Sequence, residues 1–364
     1  MIVQRQPPLH LTYCLNIHPG ETWTENFAAI REKAMRVKAR VAPNGPFGLG
    51  LRLSRAAADS LAEEKRRADL RKFFDDHGLY VFTINGFPYG QFHGTRVKEN
   101  VYAPDWRAAE RRDYTNRLAD ILADLLPDGV NGSISTVPVS FKPWIDSESD
   151  LKAAIANLNV CAGHLSDTNI CLALEPEPGC FLETTEETIR FLSEHLPDSA
   201  RRRIGVCFDT CHAAVQFENA AQSLQRYLDA GIRVAKVQLS AAVEEAPEGL
   251  KKFDDSMYLH QTKARRRDGS FCCWNDLPVV LDEEFERLRV HFHVPLFAGN
   301  STAAELTPEF FALLKRGATE HLEIETYTFD VLPPELRATD VVDHIVREYE
   351  WAMKKLAFPF SGLS

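Results

Sequence analysis

The stretch Gly205–Ala213 reads Gly-Val-Cys-Phe-Asp-Thr-Cys-His-Ala and decides how the rest of the chain is interpreted. It has the composition of a short buried strand that ends in an acid, Asp209, with His212 three residues later. An aspartate at such a place caps the following helix about as often as it binds a metal. The stretch therefore predicts a site only if other strands of the chain end in the same way.

Further segments have the pattern of short buried strands, and segments with helical periodicity, such as Glu21–Arg40 and Arg55–His77, follow most of them. This alternation predicts a parallel (β/α)8 TIM barrel. A doubly wound open sheet is the alternative, but no G-x-G-x-x-G sequence follows the first strand. No linker rich in proline, glycine or serine divides residues 1–364, so we predict one domain. The predicted strands are His10–Ile17, Phe47–Leu53, Leu79–Asn85, Val130–Val137, Ile170–Glu175, Ile204–Asp209, Val234–Leu239 and His321–Thr326.

The connection after the seventh predicted strand is much longer than the others. Residues 240–302 separate Leu239 from the predicted helix Ala303–Lys315. A loop of that length in a compact domain is usually a lid or a binding insert. Because TIM-barrel enzymes keep their active sites at the carboxyl ends of the strands, we expect the insert 240–302 to lie over the catalytic face.

Composition limits the partners and the compartment. The formal net charge is −10, whereas nucleic-acid binding usually leaves a basic footprint. The eight cysteines form no C-x-x-C motif, which favours reduced cysteines in the cytoplasm. Met1–Leu9 has no apolar core of a signal peptide, and no run approaches the length of a membrane span. We therefore predict a cytoplasmic protein with a small-molecule partner and leave the oligomeric state open.

Strand parity sorts the polar residues onto one face of the sheet. On the strands that end in Glu175, Asp209 and Glu325, the acid shares its face with small or polar residues. The large apolar residues occupy the other face and are expected to pack under the outer helices. Gln238 ends the seventh strand on the polar face, and Arg52 lies on the polar face of the second. Three acids should therefore converge at the mouth of the barrel.

Converging carboxylates repel each other and stay ionised only beside a counter-charge, for which a divalent cation is the compact solution. Oxygens from Glu175, Asp209, Gln238 and Glu325 would favour Mg²⁺ or Mn²⁺, and a histidine in the set would admit Zn²⁺. The alternative is that each acid only caps the helix after its strand.

Four short motifs, in this order along the chain, resemble those of the xylose isomerase-like TIM barrels. That superfamily includes hydroxypyruvate isomerase, sugar 3-epimerases and the zinc endonuclease IV. Its members hold a divalent metal with Glu on strand five, Asp on strand six, His or Gln on strand seven and Glu on strand eight, which implies the ligand set named above. The motifs are Leu-Glu-Pro (174–176), Phe-Asp-Thr-Cys-His (208–212), Lys-Val-Gln-Leu (236–239) and Ile-Glu-Thr (324–326).

Three more segments resemble the EboE-type proteins, which are described as metabolite-traffic proteins of a bacterial gene cluster and as similar to sugar phosphate isomerases. This likeness implies the same fold and leaves the substrate open. The segments are His10–Trp23, Phe47–Ser54 and Asn85–His93.

The resemblance implies a metal-dependent isomerase or epimerase of a small sugar, sugar phosphate or hydroxy-keto acid. In such relatives the metal polarises the substrate carbonyl and stabilises an enediolate. Glu175 and Glu325 would remove a carbon-bound proton on one side and return one on the other. His212 would hydrogen-bond a substrate oxygen, or it only supports Asp209.

Other substrate-binding candidates lie at strand ends or in the insert. Arg52 is a candidate because a buried charge needs a partner. For the remaining candidates ordinary packing is the alternative; in particular, the alternation of His291 and His293 also fits a hairpin. These candidates are Asn85, His93, Lys142, His260 and His293.

Two other functions stay open. The motif Asp-Thr-Cys-His is similar to that of endonuclease IV, but that family needs more histidines, for three zinc ions, and a basic surface. Here the seventh strand supplies Gln238 and the chain is acidic. The third function is a metabolite binding or traffic protein without turnover. The set of acids argues against it, because mere packing does not need them.

Overall fold

The computed structural model describes residues 1–277, 285, 287–337 and 340–357. Its strands fall into a large sheet, which carries the barrel, and a smaller one of four strands. The strands are β1 (Ile2–Arg5), β2 (Pro8–Tyr13), β3 (Phe47–Arg52), β4 (Leu79–Asn85), β5 (Gly132–Thr136), β6 (Ile170–Leu174), β7 (Ile204–Asp209), β8 (Val234–Leu239), β9 (Ala242–Glu244), β10 (Thr262–Arg265), β11 (Phe271–Trp274), β12 (Arg287–His293) and β13 (His321–Ile324).

Eight strands of the large sheet run parallel in the order β2, β13, β8, β7, β6, β5, β4, β3. The two ends of this row meet through a bridge between Cys14, just after β2, and Gly50 of β3. A side chain at position 50 would oppose this closure, because a Cβ atom there would lie 2.8 Å from the backbone oxygen of Tyr13 at the end of β2. The order and the closure confirm the predicted (β/α)8 TIM barrel.

Helices cover the outside of the barrel, and the apolar side chains of the strands pack against them. Leu172 and Val206 belong to the main core together with Phe191, whereas Cys171 and Cys207 belong to a separate small cluster. Among the helices of the described residues, none is long and apolar enough to cross a membrane. The helices are α1 (Trp23–Ala29), α2 (Met35–Val41), α3 (Arg55–Leu61), α4 (Glu64–His77), α5 (Ala109–Leu125), α6 (Glu148–His164), α7 (Thr185–His195), α8 (Asp198–Arg201), α9 (Thr210–Val215), α10 (Ala220–Asp229), α11 (Pro247–Leu250), α12 (Pro308–Lys315) and α13 (Val341–Leu356).

The first barrel strand is shorter than predicted. It ends at Tyr13, and Leu15–Ile17 form a 3₁₀ turn in place of the last residues of the predicted strand. The turn leaves the side chain of Asn16 within hydrogen-bonding distance of Glu325, which directly follows the neighbouring strand β13. The residues before β2 also pair, since β1 forms an antiparallel hairpin with it, which the sequence did not predict.

Two predicted helices differ from the observed ones. Residues Ile30–Ala34 form a π-helical turn that joins α1 and α2. The predicted helix Arg55–His77 is divided at Glu63, which has an extended backbone (φ −72°, ψ 119°). The guanidinium of Arg67 stabilises the division, because it donates hydrogen bonds to the carbonyl oxygens of Leu61 and Ala62 at the end of α3, at 2.8 and 2.6 Å.

The insert 240–302 forms the smaller sheet, in the antiparallel order β11, β10, β12, β9. Residues 278–284 and 286 of the insert lie outside the described residues. Strand β12 brings His291 and His293 beside α9 and the end of β13, where both side chains are buried. A part of the insert therefore reaches the carboxyl ends of the barrel strands.

Candidate metal and substrate site

Three buried carboxylates converge where the barrel strands end. Glu175 directly follows β6, Asp209 is the last residue of β7, and Glu325 directly follows β13. One oxygen of each lies within 4.8 Å of the others, and the residues are only 3%, 2% and 3% exposed. The side chains below them on β6 and β7 are the small residues Ala173 and Cys207, which leave the acids room to point inward.

Asp209 is both a helix cap and a member of this cluster. Its Oδ1 atom accepts hydrogen bonds from the backbone N–H of His212 at 2.9 Å and from the hydroxyl of Ser240 at 2.7 Å. Its Oδ2 atom is buried without a hydrogen-bond partner. The cap interpretation therefore holds for Oδ1, and the role of Asp209 as a metal ligand stays a prediction.

Glu325 is held by two amide side chains. Its Oε1 atom accepts hydrogen bonds from Nδ2 of Asn16 at 2.7 Å and from Nδ2 of Asn85 at 2.9 Å. In Glu175, by contrast, the Oε2 atom is buried without a hydrogen-bond partner among the described residues. The cluster thus presents unpaired oxygens from Glu175 and Asp209 next to a glutamate whose position is fixed.

Burial of the two glutamates raises their pKa values. Burial, with the nearby Asp209 charge, raises the pKa of Glu175 to about 8. Burial and the charge of Glu175 raise the pKa of Glu325 well above its ordinary value. All three acids can be ionised near neutral pH only if a positive charge joins them. The unpaired oxygens and the all-carboxylate set fit a hard divalent cation such as Mg²⁺ or Mn²⁺.

A second charged layer lies one step deeper in the barrel. The ammonium of Lys236 on β8 is 2.6 Å from a carboxylate oxygen of Glu323 on β13, and both side chains are fully buried. Each is two residues from a member of the upper layer, Gln238 and Glu325, so strand alternation places them on the same inner face. This pair neutralises itself, whereas no lysine or arginine among the described residues pairs in this way with the three acids above it.

Gln238 lies beside Asp209 in the register of β7 and β8. Its Oε1 atom accepts a hydrogen bond from the thiol of Cys207 at 3.1 Å, and its Nε2 atom is buried without a partner. The amide is therefore in the upper layer, and its role as a metal ligand stays a prediction.

Three histidines flank the carboxylates on the side of the insert. Nε2 of His212 lies 3.0 Å from Nε2 of His291 and 3.9 Å from Oδ1 of Asp209. A nitrogen of His293 lies within 4.8 Å of ligand atoms of both Asp209 and His212. Glu177 completes this group, with a ligand atom within 4.8 Å of those of His212 and His291.

Two of the acids, Glu175 and Glu325, line one cavity together with His212, His291 and His293. Its wall is largely aromatic, and the ammonium of Lys98 lies 2.7 Å from Asp276 at one side. Three residues proposed from the sequence as substrate contacts line it: His212, Asn85 and His293. The aromatic residues of the wall are Phe87, Phe92, Tyr102, Tyr258 and Tyr327.

Four other residues proposed from the sequence as substrate contacts do not line this cavity: Arg52, Lys142, His93 and His260. Arg52 is 3% exposed and pairs with Glu21 at 2.9 Å, so the partner that its burial requires is a loop carboxylate. Lys142 pairs with Glu183 at 2.6 Å and lines a different cleft. The substrate roles of Arg52 and Lys142 stay predictions.

His93 and His260 do not line the cavity, but they contact residues near it. Nε2 of His93 donates to the backbone carbonyl of Asn16 at 2.6 Å, and Nδ1 lies 3.3 Å from the hydroxyl of Tyr258. Nε2 of His260 contacts the carboxylate of Asp255 at 2.5 Å. Both histidines therefore contact residues next to the cavity, and their substrate roles also stay predictions.

The sequence did not single out several residues of the cavity. Glu177 had a usable signal, because it stands two residues after Glu175 in Leu-Glu-Pro-Glu. Lys98 and Tyr102 lie in a 3₁₀ turn without a repeating pattern, and only the fold shows that they face the acids.

The fold of this chain is similar to that of several solved structures. The IolI protein with a bound zinc atom is 13% identical, with 96% of this chain and 98% of that chain covered and a TM-score of 0.56. The D-allulose 3-epimerase of Methylomonas sp., in complex with D-allulose, is 14% identical, with 95% and 97% covered and a TM-score of 0.55. A xylose isomerase-like TIM barrel protein of Mycobacterium smegmatis, in complex with magnesium, is 12% identical, with 98% of each chain covered and a TM-score of 0.58.

At these low sequence identities the three structures show a similarity of fold alone. A search among curated proteins finds no matching sequence. The EboE-type likeness stays a prediction. A family model described as the xylose isomerase-like TIM barrel matches residues 49–347, which is most of the chain and contains all three carboxylates. The chain therefore belongs to the xylose isomerase-like TIM barrel family.

Proposed function

We propose that this protein is a divalent-metal-dependent isomerase or epimerase of a small, uncharged sugar. One observation carries the proposal: three buried carboxylates converge at the carboxyl ends of the barrel strands, and no lysine or arginine of the described residues pairs with them. The similar structures support it, since they include a D-allulose 3-epimerase, an L-ribulose 3-epimerase and proteins with bound zinc or magnesium.

Glu175, Asp209 and Glu325 would hold the cation, with Gln238 as the proposed fourth ligand. When bound, the cation would polarise the substrate carbonyl and offset negative charge that develops on its oxygen. It would also keep both glutamates ionised despite their burial, which is the state that a general base needs.

The two glutamates differ in how they are held. Glu325 has one oxygen fixed by Asn16 and Asn85, whereas Glu175 has an oxygen without a partner. They approach the cavity from different strands, β13 and β6. We propose that one removes the carbon-bound proton and the other returns a proton to the adjacent carbon or to the opposite face.

The charges around the cavity favour an uncharged substrate. Lys98 lines the wall but is paired with Asp276, and Arg52 is held by Glu21 behind the wall. A phosphate group binds best to arginine forks or free backbone amides. Here it would face three glutamates instead, so we expect free sugars to bind better than sugar phosphates or hydroxy-keto acids.

His212 has a defined hydrogen-bonding capacity toward a substrate. Its Nδ1 atom donates to the backbone carbonyl of Pro176 at 2.9 Å. The neutral ring then carries a lone pair on Nε2. As a substrate contact, His212 would accept a hydrogen bond from a hydroxyl and would not donate one.

Proton exchange tests the proposal directly. The Mn²⁺-loaded protein is incubated in D₂O with a panel of free ketoses, and deuterium incorporation at carbon is followed by NMR. We expect exchange with at least one free ketose, loss of exchange in Glu175→Gln, and no change in the matched surface variant Glu64→Gln. Absence of exchange across the panel, with tight ligand binding that is unchanged in Glu175→Gln, would instead indicate a binding or traffic protein.

One observation favours the endonuclease IV-like alternative: the insert adds His291 and His293 beside His212. The net charge of −10 and Gln238 on the seventh strand argue against it. Cleavage of DNA at an abasic site by the zinc-loaded protein, abolished in Glu175→Gln, would replace the isomerase proposal.

A further inference from the structure

Lys98 is held in an uncommon backbone conformation at the edge of the cavity. It begins the 3₁₀ turn Lys98–Tyr102, and its φ of 41° lies in the left-handed region, which residues other than glycine rarely adopt. The backbone N–H groups of Val97 and Lys98 both donate to the carbonyl oxygen of Met257 in the insert, at 2.8 and 2.9 Å. The insert therefore fixes the point from which this side chain enters the cavity wall.

Asp276 is held in place by backbone groups of the insert. Its Oδ1 atom accepts hydrogen bonds from the N–H groups of His260 at 3.1 Å and Leu277 at 3.2 Å. Its Oδ2 atom accepts a hydrogen bond from the ammonium of Lys98 at 2.7 Å. The side chains are only 9% (Lys98) and 27% (Asp276) exposed. Because other contacts position both partners, this ion pair differs from a contact between two mobile surface side chains.

The pair controls the only lysine or arginine among the described residues that line the cavity. The carboxylates of the lining are those of Glu175, Glu177 and Glu325, and Asp276 does not belong to the lining. An anionic group of a ligand that reaches this side of the cavity would therefore need Lys98 as its counter-charge. Asp276 already neutralises that ammonium.

This arrangement discriminates between ligands by charge. A buried ammonium without a counter-charge attracts an anion, whereas the same ammonium beside a carboxylate offers little net charge. The carboxylate also repels an anionic group that approaches the pair, and such repulsion is a common source of specificity. An uncharged hydroxyl can still accept a hydrogen bond from the ammonium, which has three donors.

We propose that Asp276 is a specificity-determining residue, which makes the cavity accept the uncharged end of a sugar and reject a phosphate or carboxylate there. The inference rests on the proposed function, because it concerns the substrate of the same site. Loss of the carboxylate alone would free the ammonium of Lys98 and change the preference toward anionic sugars. Loss of both charges would leave an anion without this counter-charge.

Paired ligands test the proposal without an assay of turnover. The probes are D-fructose and D-fructose 6-phosphate, D-tagatose and D-tagatose 6-phosphate, and D-ribulose and D-ribulose 5-phosphate. Isothermal titration with the Mn²⁺-loaded protein gives the two dissociation constants of each pair, and their ratio measures the preference for the uncharged sugar. Contacts of the phosphate with other groups, including the metal, cancel when this ratio is compared between variants.

In Asp276→Asn we expect the ratio to shift toward the phosphate by about 10- to 100-fold, since close charge pairs at interfaces couple by this order or more. The asparagine keeps an oxygen for the N–H groups of His260 and Leu277. In the double variant Lys98→Met/Asp276→Asn the shift should disappear. The matched control, Asp254→Asn, makes the same change of charge on the exposed surface of the insert and should leave the ratio unchanged.

The outcomes separate this proposal from the proposed function. An unchanged ratio in Asp276→Asn, or a shift that persists in the double variant, would overturn the role of Asp276. Binding of none of the probes to the wild type would overturn it as well, together with the proposed function. The expected shift without deuterium exchange into any free ketose would overturn only the proposed reaction.

A second variant covers the case in which Asp276→Asn does not fold. Lys98→Met removes the ammonium and leaves the carboxylate of Asp276 beside the cavity. The preference for the free sugar should then increase, because an anionic group meets a charge of its own sign without the ammonium to offset it. Equal ratios in Lys98→Met and the wild type would overturn the proposal.

Discussion

Two neighbouring layers of the barrel interior balance their charges differently. In the lower layer Lys236 and Glu323 pair at 2.6 Å and are fully buried. In the upper layer Glu175, Asp209 and Glu325 are also buried, and the hydrogen bonds that Asp209 and Glu325 accept from the described residues come from amide and hydroxyl groups. The lower layer carries its own counter-charge, and we propose that a bound cation supplies the counter-charge of the upper layer.

The comparison distinguishes buried charges that pair with each other and stabilise the fold from buried charges that we expect to serve metal binding and catalysis. A buried ion pair costs desolvation but satisfies itself, and removal of one partner leaves a buried charge uncompensated. Buried carboxylates without a counter-charge cost more and persist where a ligand or a reaction needs them. We therefore expect substitutions in the upper layer to affect metal binding and turnover, and substitutions in the lower layer to affect stability.

The largest expected effect is on turnover in the upper layer. Glu325→Gln keeps the size of the side chain and can still accept from Asn16 and Asn85, but it removes a base and a ligand charge. We expect deuterium exchange into a ketose to fall about 10³-fold, while the free energy of unfolding of the metal-free protein changes by less than about 1 kcal/mol. A variant that exchanges at more than a tenth of the wild-type rate would contradict the assignment.

The next effect is on stability in the lower layer. Lys236→Met leaves Glu323 buried without its partner, and we expect the free energy of unfolding to fall by about 3–5 kcal/mol. Urea denaturation measures it. In the double variant Lys236→Met/Glu323→Leu the uncompensated charge is gone, so most of the loss should be recovered. Equal instability of the single and double variants would mean that the pair contributes by shape and not by charge.

The pH dependence of stability distinguishes the upper layer with and without metal. Glu175 has a folded pKa of about 8 and an ordinary value of 4.5, so between these pH values the folded state binds more protons than the unfolded state. The free energy of unfolding of the metal-free protein should therefore fall as pH rises through this window, by at most about 1.4 kcal/mol per pH unit for one such group, and level off above it.

A divalent cation should reverse this trend, because it replaces the protons and binds better as the acids ionise. Melting temperatures measured from pH 5 to 9, with EDTA and with Mn²⁺, should diverge as pH rises. Parallel curves would show that the carboxylates do not bind the ion.

A smaller effect is expected from the amides that hold Glu325. Asn85→Leu removes one of the two donors to Oε1 and leaves all proposed ligands intact. Loss of such an orienting hydrogen bond typically lowers metal affinity about 10- to 100-fold. Isothermal titration with Mn²⁺ measures it, and an unchanged affinity would show that Asn16 alone fixes the glutamate.

The smallest effect is expected away from both layers. Lys142 pairs with Glu183 and Glu187 and lines another cleft, with its side chain 44% exposed. Because Lys142 lies outside the cavity of the acids, we expect Lys142→Ala to change the KM for a ketose by less than about twofold, in line with other surface substitutions. A tenfold increase in KM would restore Lys142 as a substrate contact.

Strand alternation made the carboxylates predictable. The two-residue period and the position at a strand end are local properties, so they placed Glu175, Asp209 and Glu325 on one inner face without knowledge of the fold. The same parity put Lys236 and Glu323 inward, but their pairing depends on β8 and β13 being neighbours. That order is a property of the whole barrel.

The rest of the site depends on contacts that have no local period. His212 and His291 are 79 residues apart in the chain, and the register of the smaller sheet brings them together. The partners of Arg52 and His260 are loop carboxylates, Glu21 and Asp255, which could not be told from other surface acids in the sequence. Local patterns therefore predicted the centre of the site, and the tertiary fold determined its wall.

Anomalous diffraction from a crystal of the Mn²⁺-loaded protein tests the central claim most directly. The account predicts one strong manganese peak among the carboxylate oxygens of Glu175, Asp209 and Glu325, and none in the lower layer beside Lys236 and Glu323. A manganese-loaded crystal with no peak among these three acids would contradict it.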